Sequence, residues 1–149
     1  MDRWRPNVTV AAVVANGPQF LMVEERDSAT GKEVLNQPAG HLEPGESLIQ
    51  AVAREVLEET RWEVSVVGYL GVALFAGGNG ITYLRHSFLC HPVREHGDRE
   101  LDDAIIAAPW MTYEQIKSLA AVHRSHLVLE VLRQYRAGLS APLSLVTDP

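Results

Sequence analysis

The chain has 149 residues, 46% of them hydrophobic and 21% charged, with a formal charge of −6. That length supports one sizeable core and not two, and the acidic balance argues against the basic face that nonspecific nucleic-acid binding requires. No apolar run approaches the roughly 20 residues of a membrane helix, and Met1-Asp2-Arg3-Trp4-Arg5 leads into a strand pattern instead of a secretory leader, so one cytoplasmic domain over residues 1–149 is expected.

Trp4, between Arg3 and Arg5, is expected to cover a sheet or to stack on a ring. Val8 to Ala15 is β-branched and apolar enough for a largely buried strand, Asn16-Gly17-Pro18 is a turn, and Gln19 to Glu25 is the return strand of a hairpin. Arg26 to Lys32 reads as a polar loop. Val34 to Gln37 and Ala39 to Leu42 are short strands on either side of Pro38.

Glu43-Pro44-Gly45-Glu46 has proline at the second turn position and glycine at the third, where positive φ is needed. Ser47 and Gln50 form a capping box, which predicts a helix from Ser47 to about Thr60. At about 100° per residue, Ile49, Val52, Ala53, Val56 and Thr60 fall on the stripe that a globular helix buries. Glu55, Glu58 and Glu59 fall on another, with Leu48 and Ala51 beside them and no basic residue among them. Like charges at i, i+3 and i+4 repel, and acids late in a helix oppose its dipole. A divalent cation, Mg²⁺ or Mn²⁺, offsets this and commonly bridges carboxylates to a substrate phosphate. Taken alone, the three glutamates read instead as a solvated face, partly compensated by Arg54 four residues before Glu58.

After the helix, Glu63 to Phe75 and Ile81 to Cys90 are expected to pair antiparallel across the flexible turn Ala76-Gly77-Gly78-Asn79-Gly80. Cys90 is the only cysteine; no internal disulfide is possible, and it reads as a packing residue. Tyr83 and Arg85 alternate with Leu84 and His86, so one pair faces a cleft or solvent, and Arg85 is a candidate phosphate reader. His91 to Asp103 is polar and reads as a loop, in which no spacing rule selects among Glu100, Asp102 and Asp103 as a further metal-site acid. Ile105 to Met111 is a last strand. Thr112-Tyr113-Glu114-Gln115 caps a short helix, and a final helix begins at His123 or Ser125, with Leu127, Val128, Val131, Leu132 and Tyr135 on or near its apolar face and Gly138 at its end. The histidines lack zinc-site spacing; His41, in the loop before the acidic helix, is the one placed to touch phosphate. Helices around a mixed sheet make the chain α/β.

Gly40, five residues, Glu46, seven residues, Arg54-Glu55, Val56, Leu57 and Glu58-Glu59 together resemble the Nudix box, the metal-binding loop-helix of the Nudix hydrolases, a far more specific match than three acids alone. One position departs: Arg61 stands where the family places its exit glycine, so the chain is expected to leave the helix without an easy left-handed residue, at a modest local cost. The approach Asn36-Gln37-Pro38-Ala39-Gly40-His41-Leu42-Glu43 looks like that of the bacterial NudJ-like phosphatases, and the similarity extends more weakly from about Pro6 to the last helix. The resemblance implies an α/β/α sandwich and Mg²⁺- or Mn²⁺-dependent hydrolysis of a nucleoside diphosphate linked to another group. In the NudJ-like group it implies nucleoside tri- and diphosphates and thiamine or hydroxymethylpyrimidine pyrophosphate, with orthophosphate released. It implies Glu55, Glu58 and Glu59 as ligands or base, Glu46 and Arg54 as their supports, and the Ala39 carbonyl as a metal oxygen. Tyr83, Arg85 and His41 are candidate substrate contacts in a monomer or small homo-oligomer. A noncatalytic sensor on the same fold is the alternative, which Arg61 allows and the intact glutamates disfavour.

Overall fold

The computed structural model describes residues 2–148; Met1, part of the expected strand-leading N-terminus, and Pro149 lie outside them. In chain order the strands are β1 (Asn7–Asn16), β2 (Gln19–Leu21), β3 (Val23–Arg26), β4 (Glu33–Asn36), β5 (Ala39–His41), β6 (Trp62–Ala76), β7 (Thr82–Glu95), β8 (Ile105–Ala107) and β9 (Trp110–Thr112). The helices are α1 (Leu48–Thr60), α2 (Tyr113–Ser118) and α3 (Leu127–Arg136). None is long and apolar enough to cross a membrane.

Strand β1 is the centre because its side chains serve both faces of the sheet. Successive residues of a strand point to opposite sides; accordingly Val10, Ala12 and Val14 meet Ala51, Val52 and Val56 of α1, while Val13 and Ala15 meet Ile116 of α2 and Val128, Val131 and Leu132 of α3. This is the expected α/β/α sandwich around a mixed sheet: β7 runs parallel to β1 from Asn7↔Tyr83 to Val14↔Cys90, and β6 pairs antiparallel with β7. Strand β5 pairs antiparallel with β1, and β4, β3 and β8 form a second sheet. Cys90 is fully buried in the α1-side core, as its packing role requires.

Several expectations need correction. The return strand Gln19 to Glu25 is two strands, since the chain leaves the first sheet at Met22 and enters the second at Val23. Ile105 to Met111 is likewise divided at Ala108-Pro109, where proline has no N–H to continue a ladder. The two crossings lie together, with the Met22 N–H donating to the Pro109 carbonyl at 2.9 Å. His91 to Glu95 is not loop but the end of β7, held by β6 from Trp62↔Glu95 to Ser65↔His91. Helix α3 starts at Leu127, after both expected starts, with no side-chain cap. Trp4 is 68% exposed and so does not cover a sheet.

Candidate active site

Both ends of α1 are built by local chemistry. The Ser47 hydroxyl accepts from the Gln50 N–H at 3.0 Å and the Gln50 side chain accepts from the Ser47 N–H at 2.9 Å, so the expected capping box is formed. At the other end Arg61 itself takes the left-handed conformation, φ +69°, and its N–H reaches the Leu57 carbonyl. The chain therefore exits by a conventional αL cap with a residue that bears the steric cost, and not without one. The Arg61 carbonyl accepts from the His96 N–H at 2.8 Å and its Nε donates to the Arg99 carbonyl, contacts that hold the strained residue in place.

The buried stripe of α1 is turned from the expected one. Ala51, placed beside the acids by the helical wheel, is fully buried with Val52 and Val56, while Ile49 and Ala53 are only partly covered. Glu55 and Glu59 are 8% and 7% exposed, so two of the three acids lie under the protein surface. Gly40 explains the room for Glu55: a Cβ at this position would overlap the Glu55 carboxyl group. The β5 backbone also uses Glu59, whose Oε1 accepts from the Ala39 N–H at 2.8 Å.

Nor are the acids without a base among them. Arg54 donates from Nε and Nη2 to the two oxygens of Glu46, at 2.9 and 2.7 Å, in a bidentate pair. Its Nη1 donates to Glu55 at 2.8 Å and to Glu58 at 3.2 Å, and Nη2 also reaches the His41 carbonyl at 3.0 Å. Glu46 accepts in addition from the Glu43 N–H at 2.8 Å, which ties the arginine to the turn before the helix. Hydrogen bonding from Arg54 holds the Glu46 carboxyl below its usual range, and the same bond holds the Arg54 guanidinium above its own. Glu55 and Glu59 respond in the opposite direction. Burial pushes Glu55 up to about 6 and Glu59 up to about 9.

Of Glu100, Asp102 and Asp103, the structure brings Asp102 to the acidic helix. Carboxylate oxygens of Glu55, Glu58 and Asp102 lie within 4.8 Å of one another. The Asp102 N–H donates to the Glu58 carbonyl at 3.2 Å, and burial, with Glu58 nearby, pushes the Asp102 carboxyl above its usual range. Three hard oxygen donors converge, of which Glu55 is buried, Glu58 half-buried and Asp102 exposed, with Gly40 leaving space for Glu55; Glu59, held by the Ala39 N–H, is not among the three. That donor set fits Mg²⁺ or Mn²⁺ and not a thiolate-seeking metal.

Beside β5 opens a cleft of about 550 Å³. Ala39, Gly40 and His41 form the border between it and the acidic cluster, and the expected substrate contacts Tyr83, Arg85 and His41 all line it. Arg85 is buried and not solvated; its Nη2 donates to Gln37 Oε1 at 3.1 Å and to Asn36 Oδ1 at 3.4 Å. Tyr83 stacks on Phe75, with ring centres 5.4 Å apart and planes at 27°. His41 is exposed at the cleft, its ring 6.3 Å from that of Tyr83. Sequence reasoning passed over Glu25, Asn36 and Arg124, which complete the polar wall. Glu25 Oε1 accepts from Arg124 Nη1 at 2.7 Å and from Asn36 Nδ2 at 3.3 Å. The available signal was Glu25 itself, an acid inside a strand pattern otherwise set for burial.

Comparison with known proteins agrees with this geometry. The family model of the NUDIX domain matches residues 5–130. The phosphatase NudJ of Escherichia coli K12 is 34% identical over 145 residues, spanning 97% of this chain and 93% of that protein. A NUDIX hydrolase from Nitrosomonas europaea superposes with a TM-score of 0.94 at 43% identity, covering 97% of this chain and 98% of that one. A UDP-X diphosphatase shares the fold alone, with a TM-score of 0.74 at 19% identity, 95% of this chain matching 68% of the other. The loop-helix of Gly40 to Glu59, the sandwich that carries it and the match along nearly the whole chain have one explanation: the protein belongs to the Nudix hydrolases, enzymes that act on phosphoric anhydrides.

Proposed function

We propose that the chain is a Mg²⁺-dependent hydrolase (or Mn²⁺-dependent) of pyrophosphate bonds in nucleoside tri- and diphosphates, with orthophosphate as product, and that thiamine or hydroxymethylpyrimidine pyrophosphate is a further substrate. The observation that supports this most is the convergence of Glu55, Glu58 and Asp102 oxygens within 4.8 Å, next to a cleft large enough for the rest of a nucleotide. The similarity to phosphatase NudJ supports the substrate classes. When bound, a divalent cation draws charge from phosphate oxygens and makes an attacking water more acidic.

The chain's own residues prepare the site for that chemistry. Glu55, Glu58 and Glu59 serve as ligands or base, Asp102 adds a fourth carboxylate, and the Ala39 carbonyl is a further oxygen at the same border. Arg54 fixes Glu55 and Glu58 from one side, with Glu46 fixing Arg54 in turn. Glu59 is anchored through one oxygen by the Ala39 N–H, which ties α1 to β5. Arg85, Tyr83 and His41 receive the remainder of the substrate in the cleft.

A panel of pyrophosphate substrates, read with separate phosphate and pyrophosphate detection, tests the assignment. Turnover should vanish with EDTA and return with Mg²⁺ or Mn²⁺, and orthophosphate should be the product. Full activity in metal-free buffer would remove the mechanism; release of pyrophosphate alone would correct the bond that is cut.

A further inference from the structure

The ribbon of β6 and β7 ends in an edge that the fold leaves open. Strand β6 is the last of its sheet, with β7 on one side alone. Its outer side is taken up in the middle, where Tyr69 exchanges N–H and carbonyl with Ala141 at 2.9 and 2.8 Å and the Gln134 side chain donates to the Leu70 carbonyl. Beyond Gly71, nothing among the described residues pairs with it. At the tip the Gly77 N–H donates to the Ile81 carbonyl at 2.8 Å, and the register runs unbroken from Val72↔His86 to Ala76↔Thr82. The alternation of an antiparallel ladder therefore turns the N–H and C=O groups of Val72, Leu74 and Ala76 outward. Val72 and Leu74 are 54% and 63% exposed. They stand on the α1 side of the sheet, in register with His86 and Leu84, and Leu84 is in register with Val8 of β1. Val10, one row further in, is fully buried against α1, whereas Val8 and Leu84 are only half-buried. No charged residue occurs between Glu63 and Arg85.

We infer that the outer edge of β6 from Val72 to Ala76 pairs antiparallel with the same stretch of a second copy of this chain, joining two sheets into one across a two-fold axis. Centred on Leu74, this pairing sets Leu74 opposite Leu74 and Val72 of each copy opposite Ala76 of the other, so every outward N–H meets a carbonyl. The segment at Ala141 stops it from extending past Gly71. Sheet edges of monomers are commonly guarded by lysine, proline or an inward charge; this stretch has none of them. Each copy carries a formal charge of −6, and two such copies repel least where neither presents a charge. An acidic or basic peptide finds no counter-charge here, whereas the strand is its own complement. The row of Val72, Leu74, Leu84 and Val8 is too small alone for the roughly 800 Å² per partner of a stable interface. Main-chain pairing supplies the remainder and brings the two aliphatic rows side by side on one face of the joined sheet. A dimer that dissociates on dilution is the expected result. The inference is independent of the hydrolase reading.

Sedimentation velocity on the full chain over a concentration series tests the association. The wild type should pass from its 16.5 kDa monomer mass in dilute solution toward twice that mass as concentration rises. Leu74→Lys sets two like charges directly opposite each other at the two-fold axis and should hold the protein at monomer mass. Its thermal midpoint should stay near wild type, because the replaced side chain is exposed. Val93→Lys alters an aliphatic residue of similar exposure, 58%, near the far end of β7 and should dimerise like the wild type. Amide hydrogen exchange reads the mode of contact: the Val72, Leu74 and Ala76 amides should slow roughly tenfold or more as the dimer fills, and should stay fast in Leu74→Lys. A monomer at every concentration overturns the inference, as does a dimer that Leu74→Lys leaves intact or one in which these three amides exchange as they do in the monomer. Slowing of the three amides in a persistent monomer only on addition of an extended peptide of unrelated sequence also overturns it, and gives the edge to a different occupant.

Discussion

Arg61 carries φ of +69°, a conformation that places a Cβ against its own backbone and that glycine adopts freely. Arg61→Gly relieves that strain but loses the contact of the side chain with the Arg99 carbonyl and loosens the unfolded chain. The opposing effects should leave stability changed by about 1 kcal/mol or less and turnover near wild type; a large fall in kcat with an unchanged thermal midpoint would show that Arg61 touches substrate. Glu58 and Glu59 behave differently because their charge, not their conformation, is at stake. Glutamine keeps the size of either residue, and at 59 it still offers an oxygen to the Ala39 N–H. Burial pushes the Glu59 carboxyl up to about 9, so Glu59→Gln replaces a largely uncharged group by one of the same size and the fold should hold, while kcat at saturating Mg²⁺ drops by roughly two or more orders of magnitude for either variant. Two folded variants with near wild-type turnover would show that these carboxylates are not the working site. At this scale the sequence was informative for Ser47 with Gln50 and for Arg54 with Glu58, partners one helical turn apart; that Arg54 also reaches Glu55 and pairs with Glu46 was not legible, because a helical wheel does not show how far an arginine side chain extends. Glu25 with Arg124 and Glu58 with Asp102 are joined only by the fold, and no spacing in the chain announces them.

Two elements meet where β5 passes α1, and their contact depends on a missing side chain. Gly40→Ala places a Cβ in the space of the Glu55 carboxyl. The carboxyl is the end of a flexible side chain, so it shifts and the backbone stays. Thermal stability should change little, while kcat falls about tenfold or more because a displaced ligand no longer meets Glu58 and Asp102; wild-type kcat in this variant would separate Glu55 from the chemistry. The β6–β7 ribbon offers a second test. His86 Nδ1 and the Tyr69 hydroxyl are 2.8 Å apart, and burial holds the imidazole below its ordinary 6.5. A histidine depressed in the fold stabilises above its unfolded value and loses that contribution as pH falls through the folded one. Unfolding free energy should therefore decline below pH of about 6.5, and His86→Gln should flatten that part of the profile; parallel profiles for the two proteins would remove His86 as the cause. Elements with a strong period or a cap were legible, α1 and β1 above all. The divided strands were not, because an apolar run looks the same whether it stays in one sheet or changes to another.

The whole molecule places its acidic cluster and its cleft on opposite sides of β5. The chain achieves this with two sheets joined where β2 gives way to β3 and β8 gives way to β9. Class and mixed sheet were readable from composition and alternation; the join was not, since it depends on which strands are neighbours and not on what each contains. The stitch from the Met22 N–H to the Pro109 carbonyl makes the two sheets share one reading frame. Side chains on a strand alternate sides with a period of two, so one extra residue between Asn16 and Met22 would be transmitted across the join and would turn Glu25 away from the cleft. The same insertion between Asp27 and Lys32, where the chain closes on itself with the Asp27 N–H on the Lys32 carbonyl, would be absorbed by the loop. Tolerance to length change is thus distributed unevenly around the cleft: its rim can drift, while the hairpin that leads to the join counts residues on behalf of a wall it does not touch.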